Sequence, residues 1–323
     1  MDTVHQYGEK VYGTLQRSLL RRGACNVMGS QKKAGIGILA IFIIPGIALF
    51  LFAIVVPAIL AIGYSLFDWS NLTNPKWLGV QNFVKLAKDA LFWQALGNNL
   101  KLALYTLVGQ LGIGYVLAFV LSSKLIKWSN FHRTVMFFPA MISTVVLGFL
   151  WMLIYNNNYG ILNSLLKAVG LGNLATAWLS NPHGIIEVLA VPLIWQWFGF
   201  YMVIFMGAIA TIPAEIMESA EIDGCSSWQR MVHISVPMTY DTIVVCILLC
   251  LAGIMKTFDH VLVMTAGGPG TSSMVLALYA YKTTFSGMKV GYGNAISVGI
   301  TFFSLLISFT ARGLLNRGGK QYD

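Results

Sequence analysis

The stretch Thr211-Ile212-Pro213-Ala214-Glu215-Ile216-Met217-Glu218-Ser219-Ala220-Glu221-Ile222-Asp223-Gly224, continued by Cys225-Ser226-Ser227-Trp228-Gln229-Arg230-Met231-Val232-His233-Ile234-Ser235-Val236-Pro237, separates two long apolar runs. Pro213 suits the first turn of a helix, where a missing N–H costs nothing. Glu215 and Glu218 sit near the positive end of that helix. Gly224 suits a left-handed C-terminal stop. Ser226 and Gln229 have the spacing of a capping box for a second short helix, and Pro237 is expected to stop that helix before the next run. Ile212, Ile216, Met217 and Ala220 give the first helix an apolar side, and Ile234 and Val236 anchor the exit. The pattern predicts helix, glycine elbow, helix. Such an amphipathic knob is either a docking element for a partner protein or an ordinary re-entrant loop.

The composition decides what surrounds the knob. Of 323 residues, 57% are hydrophobic and only 10% charged, and the mean hydropathy is +0.71. A soluble domain carries about 25% charged residues. A soluble enzyme, a disordered chain and a nucleic-acid-binding domain are therefore excluded, and lipid is the natural solvent. Charge-free runs mark the expected spans: Ala34–Phe67 with Pro45 and Pro57 as kink points, Leu102–Ser123, Arg133 to about Tyr155, Glu187 to Glu215, Thr242–Met255, and Val290–Ala311. The fifth is the least clean, since Asp241 and Lys256 bound it and apolar character resumes only at Val261.

Six spans place both termini on one side. Segments 1–33, 123–133, 211–237 and 312–323 hold 13 Lys and Arg residues, against 6 in the opposite loops. The positive-inside rule puts the first set, and both termini, in the cytoplasm. The basic N-terminus reads as a cytoplasmic flank, since the apolar run after it is too long for a signal peptide. Val11, Leu15, Leu19 and Leu20 allow it a short amphipathic surface helix.

Cys25, Cys225, Cys246 and Cys250 form no CxxC pair and have no His cluster beside them, which argues against zinc. Cys246 and Cys250 read as small packing residues. There is no phosphate loop, no HExxH and no GxSxG, so any motor lies in another chain. Lys256 and Asp259 have the spacing of an i,i+3 ion pair.

The residues Glu218-Ser219-Ala220-Glu221-Ile222-Asp223-Gly224-Cys225, then Met231, Ile234 and Val236-Pro237, resemble the EAA loop of binding-protein-dependent ABC importers, roughly EAA-x-x-DGA followed by F-x-x-I-x-LP. The chain matches at Glu218, Ala220, Asp223, Gly224, Ile234 and Pro237 and departs modestly at Ser219, Cys225, Met231 and Val236. Asp241 stands where many relatives have a second proline. Lys256-Thr257-Phe258-Asp259, Met264 through Pro269, Tyr279, Tyr281, Lys282 and Phe285, Arg133 and Pro139, and Gly291 through Ser297 resemble the sugar-permease branch. The resemblance covers about residues 36–315.

It implies an all-α membrane protein with six transmembrane helices, the type I ABC importer permease fold with a cytoplasmic EAA coupling loop, of the maltose and glycerol-phosphate importer kind. The expected organisation is a basic cytoplasmic segment 1–33, a permease domain 34–315 with its coupling loop at 211–237, and a cytoplasmic tail 316–323. The implied partners are a second homologous permease, a dimer of ATPase subunits, an extracytoplasmic solute-binding protein and membrane lipid, with no nucleic acid. ATP and Mg belong to the ATPase, and no cofactor is expected in this chain. Glu218, Ala220, Asp223 and Gly224 are the implied ATPase contact. Thr144, Gln196, Phe200, Gly253, Lys256 and Thr257 are the implied substrate path, and Trp195 and Trp197 either pack or stack on sugar rings. A pore-facing Lys256 would favour an acidic oligosaccharide, as in an alginate importer; a Lys256 paired with Asp259 would suit a neutral one. The alternative is an ion-coupled secondary transporter, which should show paired broken helices in two halves. An intramembrane enzyme would need convergent catalytic groups, which the sequence lacks.

Overall fold

The computed structural model describes residues 36–70, 74–123 and 126–319. The N-terminal segment 1–33, with its expected amphipathic helix and Cys25, lies outside these, as does the tail beyond Gly319. The chain divides into two units, one ending at Leu60 and one beginning at Ala61.

The first unit holds helix α1 (Ile36–Phe50), a wide π turn (Leu51–Val55) and the start of α2 (Val56–Ser65). Pro45 lies inside α1. The π turn falls immediately before Pro57, whose ring would clash with the carbonyl four residues back in a regular helix. The wider turn relieves that clash without ending the helix.

The second unit starts with a short antiparallel hairpin, β1 (Phe67–Asp68) paired with β2 (Lys76–Trp77), and helix α3 (Gln81–Ala87). Asn82 Nδ2 ties α3 to the hairpin by donating to the carbonyls of Ser65 (2.8 Å) and Phe67 (3.0 Å). Next, α4 (Ala90–Thr106), a π turn (Leu107–Leu111) and α5 (Gly112–Ser122) form one helix of 33 residues. The sequence reading begins this span at Leu102, twelve residues too late. Lys101 interrupts the apolar run in the sequence but is exposed, and the preceding Asn98 and Asn99 are buried and paired. Asn98 Nδ2 donates to the carbonyls of Ser272 and Met274. Asn99 donates to the Ile254 carbonyl and accepts from the Leu276 amide.

The third run is broken. Helix α6 (Ser129–Phe137) tightens into a 3-10 turn (Phe138–Met141) at Pro139, and α7 (Thr144–Ile154) leaves at 97°. After α8 (Ile161–Ala168), helix α9 (Ile185–Ile209) runs 25 residues through the core. Then come α10 (Ala214–Ile222), α11 (Ser227–Arg230), a π turn (Met231–Ser235), α12 (Val236–Met238) and, after a 78° bend, α13 (Tyr240–Met255). Pro237 does not stop the helix as expected. A π turn again precedes the proline and absorbs its clash, and the break falls two residues later, at Thr239. The chain closes with α14 (Asp259–Met264), α15 (Leu276–Tyr281), a π turn (Lys282–Ser286) and the long α16 (Val290–Gly319). Among the described residues, four helices are long and apolar enough to cross a membrane: Ile41–Ser65, Ala90–Ser122, Ile185–Ile209 and Val290–Leu315. The number is six if each bent pair is one span.

The core of this unit is α9 packed against α4 and α5. Gly114 lets the backbones approach, since a β-carbon there would sit 3.0 Å from the Phe198 carbonyl oxygen and 3.2 Å from the Met202 nitrogen. Small residues serve this purpose where lipid supplies no hydrophobic drive between helices.

Asp89 caps α4. Its Oδ1 accepts from the amides of Leu91 (2.9 Å) and Phe92 (3.4 Å), and its Oδ2 accepts from the phenols of Tyr279 (2.5 Å) and Tyr292. Burial pushes this carboxyl up, but the two phenols and two amides outweigh it and hold the group below its ordinary value. A depressed folded-state pKa stabilises above the unfolded value, about 3.9, and the contribution is lost as pH falls through the folded pKa. Asp89→Asn keeps a capping side chain but loses the charge. It is expected to destabilise by about 1–2 kcal/mol at pH 7, toward the low end because the carboxylate is partly screened by solvent. Thermal melts of both proteins should converge as pH falls below the ordinary carboxylate range.

Candidate functional site

Two regions carry candidate functional residues. The first is the knob. Helix α10 has Pro213 at its N-cap and Glu215 in its first turn. It ends in a Schellman closure: the Cys225 amide donates to the Ala220 carbonyl (2.9 Å) and the Gly224 amide to the Glu221 carbonyl (3.1 Å). This closure needs a left-handed residue in the middle, and Gly224 has φ +81°. The capping box forms next. The Ser226 amide donates to Gln229 Oε1 (2.8 Å), and the Gln229 amide to Ser226 Oγ (3.3 Å). Arg230 then reaches back across the elbow to Glu221 at 2.6 Å. An ion pair this exposed adds little stability, but it fixes the angle between the two short helices.

Within the knob, Glu218, Asp223 and Gly224 are exposed, whereas Ala220 is buried. Of the expected apolar side, Ile212 and Met217 are half-buried and Ile216 is exposed. Ile222 and Trp228 also stand exposed, one on each side of the elbow. The sequence reading assigned these two no role, because an apolar residue beside a membrane span is ordinarily a packing residue.

The second region is set by the two breaks. At the break in the third run, Ile142 and Ser143 leave helical geometry. The freed Ile142 carbonyl accepts from Gln196 Nε2 of α9 at 3.0 Å. Gln196 is buried and its Oε1 has no hydrogen-bond partner. Thr144 begins the second half of the break and is half-buried. Phe200, one turn along α9 from Gln196, packs edge-on against Trp197 (5.7 Å) and Tyr201 (5.4 Å). Trp195 packs against Trp151 at 6.2 Å.

Gly253, Lys256 and Thr257 gather at the end of α13. The Lys256 amide closes on the Gly253 carbonyl and the Thr257 amide on the Ile254 carbonyl, both at 3.1 Å. Gly253 and Lys256 are exposed. Lys256 and Asp259 make no ion pair. The reason is the backbone: α13 ends at Met255 and α14 starts at Asp259, with Phe258 at φ −136°, so the helical i,i+3 geometry is interrupted. The six residues expected on the substrate path thus fall into two clusters, Thr144 with Gln196 and Phe200, and Gly253 with Lys256 and Thr257.

Sequence reasoning missed a set of buried polar residues between helices. His260 is fully buried, its Nε2 3.1 Å from the Leu189 carbonyl. Gln110 Nε2 donates to the Leu193 carbonyl, and Cys250 Sγ lies 3.5 Å from Gln110 Oε1. Single polar residues in an apolar run leave the hydropathy pattern almost unchanged. Among the described residues no group of His, Cys, Asp or Glu is placed to hold a metal ion.

The family described as binding-protein-dependent transport system inner membrane component matches residues 110–317. A probable ABC transporter permease, YurN of Bacillus subtilis, is 36% identical over 87% of this chain and 97% of its own length. AmyD of Thermoanaerobacterium thermosulfurigenes, a probable starch degradation products transport system permease, is 31% identical over 80% of this chain and 87% of its own. A solved bacterial alginate ABC transporter, in complex with an alginate pentasaccharide-bound periplasmic protein, has a chain with TM-score 0.76 and 23% identity, covering 88% of this chain and 95% of that one. These matches give no support to an ion-coupled secondary transporter. The knob and the two broken helices therefore belong to a membrane permease subunit of an ABC transporter, a member of the family of binding-protein-dependent transport system inner membrane components.

Proposed function

We propose that the chain is one of two pore-forming permeases of an ATP-driven importer that moves a sugar or oligosaccharide across the cytoplasmic membrane. It crosses six times, each bent pair counting as one span, with both termini in the cytoplasm. A solute-binding protein delivers substrate from outside, and a dimer of ATPase subunits, which holds ATP and Mg, docks on the segment 211–237. Closure of the ATPases moves that segment, and alternating access follows as a rigid-body change.

The observation that carries this reading is the pairing of a rigid, exposed knob with a break at its own exit into the fifth span. Glu218, Asp223 and Gly224 face the partner, with Ala220 buried beside them. In the other region, Thr144, Gln196, Phe200, Gly253, Lys256 and Thr257 line the path. The unpartnered Gln196 Oε1 is an acceptor suited to a sugar hydroxyl, since a buried acceptor without a donor is costly. The names of the starch-product and alginate transporters support a carbohydrate.

Lys256 decides between a neutral and an acidic sugar. Its freedom from Asp259 favours the acidic reading, because a lysine held in a membrane path needs a partner or water. The test is uptake of maltooligosaccharides and of uronic-acid oligosaccharides by the assembled transporter, in wild type and in Lys256→Gln. An acidic substrate should lose about tenfold or more in uptake at normal assembly, and a neutral one should change little. Uptake of neither class would overturn the carbohydrate reading.

A further inference from the structure

Tyr115, on the second span, is 7% exposed and reaches the break between the knob and the fifth span. Its hydroxyl lies 2.8 Å from Ser235 Oγ and 2.9 Å from Thr239 Oγ1. Both partners are buried. The protons can be assigned. Thr239 Oγ1 donates to the Ser235 carbonyl at 2.8 Å, so it must accept from Tyr115. Tyr115 has then spent its one proton and must accept from Ser235 Oγ. Three hydroxyls and one carbonyl close a ring in which every donor is used.

The location gives the ring its significance. Thr239 is the pivot of the 78° bend between Ser227–Met238 and Tyr240–Met255, with φ −107° and ψ 16°. Pro237, two residues earlier, supplies no amide to stiffen the turn. A bend of this kind would flex under load. The Tyr115 ring itself is held edge-on to Phe205 at 5.0 Å, within the packed seam of α5 and α9.

We propose that Tyr115 is a positioning residue for coupling. Its hydroxyl fastens the bend at Ser235–Thr239 to the second span, so that a displacement of the knob passes into the spans and is not absorbed at the pivot. The role rests on the reading of segment 211–237 as the ATPase docking element, while the fastening itself does not. Tyr115→Phe removes one oxygen and leaves the ring packing in place. Ser235→Ala opens the ring on one side and leaves the Tyr115–Thr239 bond in place.

Hydrogen–deuterium exchange on the full chain in nanodiscs reads the fastening. In Tyr115→Phe, the amides of Val236 and of residues 238–241 should exchange about tenfold or more faster, as expected for lost buried hydrogen bonds, and in Ser235→Ala by a smaller factor. The double variant should be no worse than Tyr115→Phe alone. In the assembled transporter carrying Tyr115→Phe, basal ATP hydrolysis should stay within about twofold, while stimulation by the binding protein should fall about fivefold or more. A structural role alone would lower the melting temperature and basal hydrolysis together. Unchanged exchange at 236–241, additive variants, or full stimulation in Tyr115→Phe would each overturn the proposal. A wild-type complex with no stimulation would refute the docking reading instead, and the exchange experiment would still decide the fastening.

Discussion

Gly224→Val is expected to leave the chain inserted and folded but to abolish binding-protein-stimulated ATP hydrolysis and transport. The position has open space, since nothing lies within 4 Å of a β-carbon built there. The obstacle is conformational. At φ +81° an L-residue is penalised by about 1–2 kcal/mol, and a β-branched one by more. Valine escapes by leaving the left-handed region, which breaks the two bonds of the Schellman closure and re-aims α11 relative to α10. The body of the unit is untouched, so melting should change little. A graded series follows from the same cause: Asn is tolerated best, Ala less well and Val least. Equal stimulation in all three would refute the role of the elbow.

The second large effect is structural. Gly199→Val should prevent a stable fold. A β-carbon at Gly199 would lie 2.0 Å from the Met136 carbonyl oxygen, 2.6 Å from its carbon and 3.0 Å from Phe137 Cα. These are backbone atoms of the first half of the broken third run, which cannot rotate aside. Relief requires α6 to move off α9, which would carry Ile142 away from Gln196. We expect a loss of about 3 kcal/mol or more, beyond ordinary overpacking, seen as failure to purify or as a collapsed melting temperature. Gly207→Ala, in the same helix with nothing within 4 Å, is the control and should stabilise by about 0.5–1 kcal/mol if it changes anything.

These two glycines mark how much the sequence discloses. Gly224 is legible, because a left-handed stop is a local property written in Pro213, Gly224 and the Ser226–Gln229 spacing. The apolar runs were equally readable, as lipid imposes their length directly. Gly199 has no such signal. Its necessity comes from a helix over sixty residues earlier in the chain. The 97° break was foreshadowed only by Pro139, and Gln196 acquires its Ile142 partner only once that break exists. The start of the second span was misplaced for a related reason. Asn98 and Asn99 look like loop residues until the carbonyls of Ile254, Ser272 and Met274 arrive to meet them.

The N-terminal end of the second span also bears on how the protein is made. Asp89 is capped by Tyr279 and Tyr292, and the latter contact spans 203 residues of sequence. Gln94, Asn98 and Asn99 find their partners 155 to 177 residues away. At synthesis rates of about 5–20 residues per second, the ribosome takes roughly 10–40 s to supply those partners. For that interval the nascent second helix carries an acid and several amides without their native partners. It must wait in contact with water, the insertase or the interfacial headgroups, and it can settle to its final depth only when the last helix emerges.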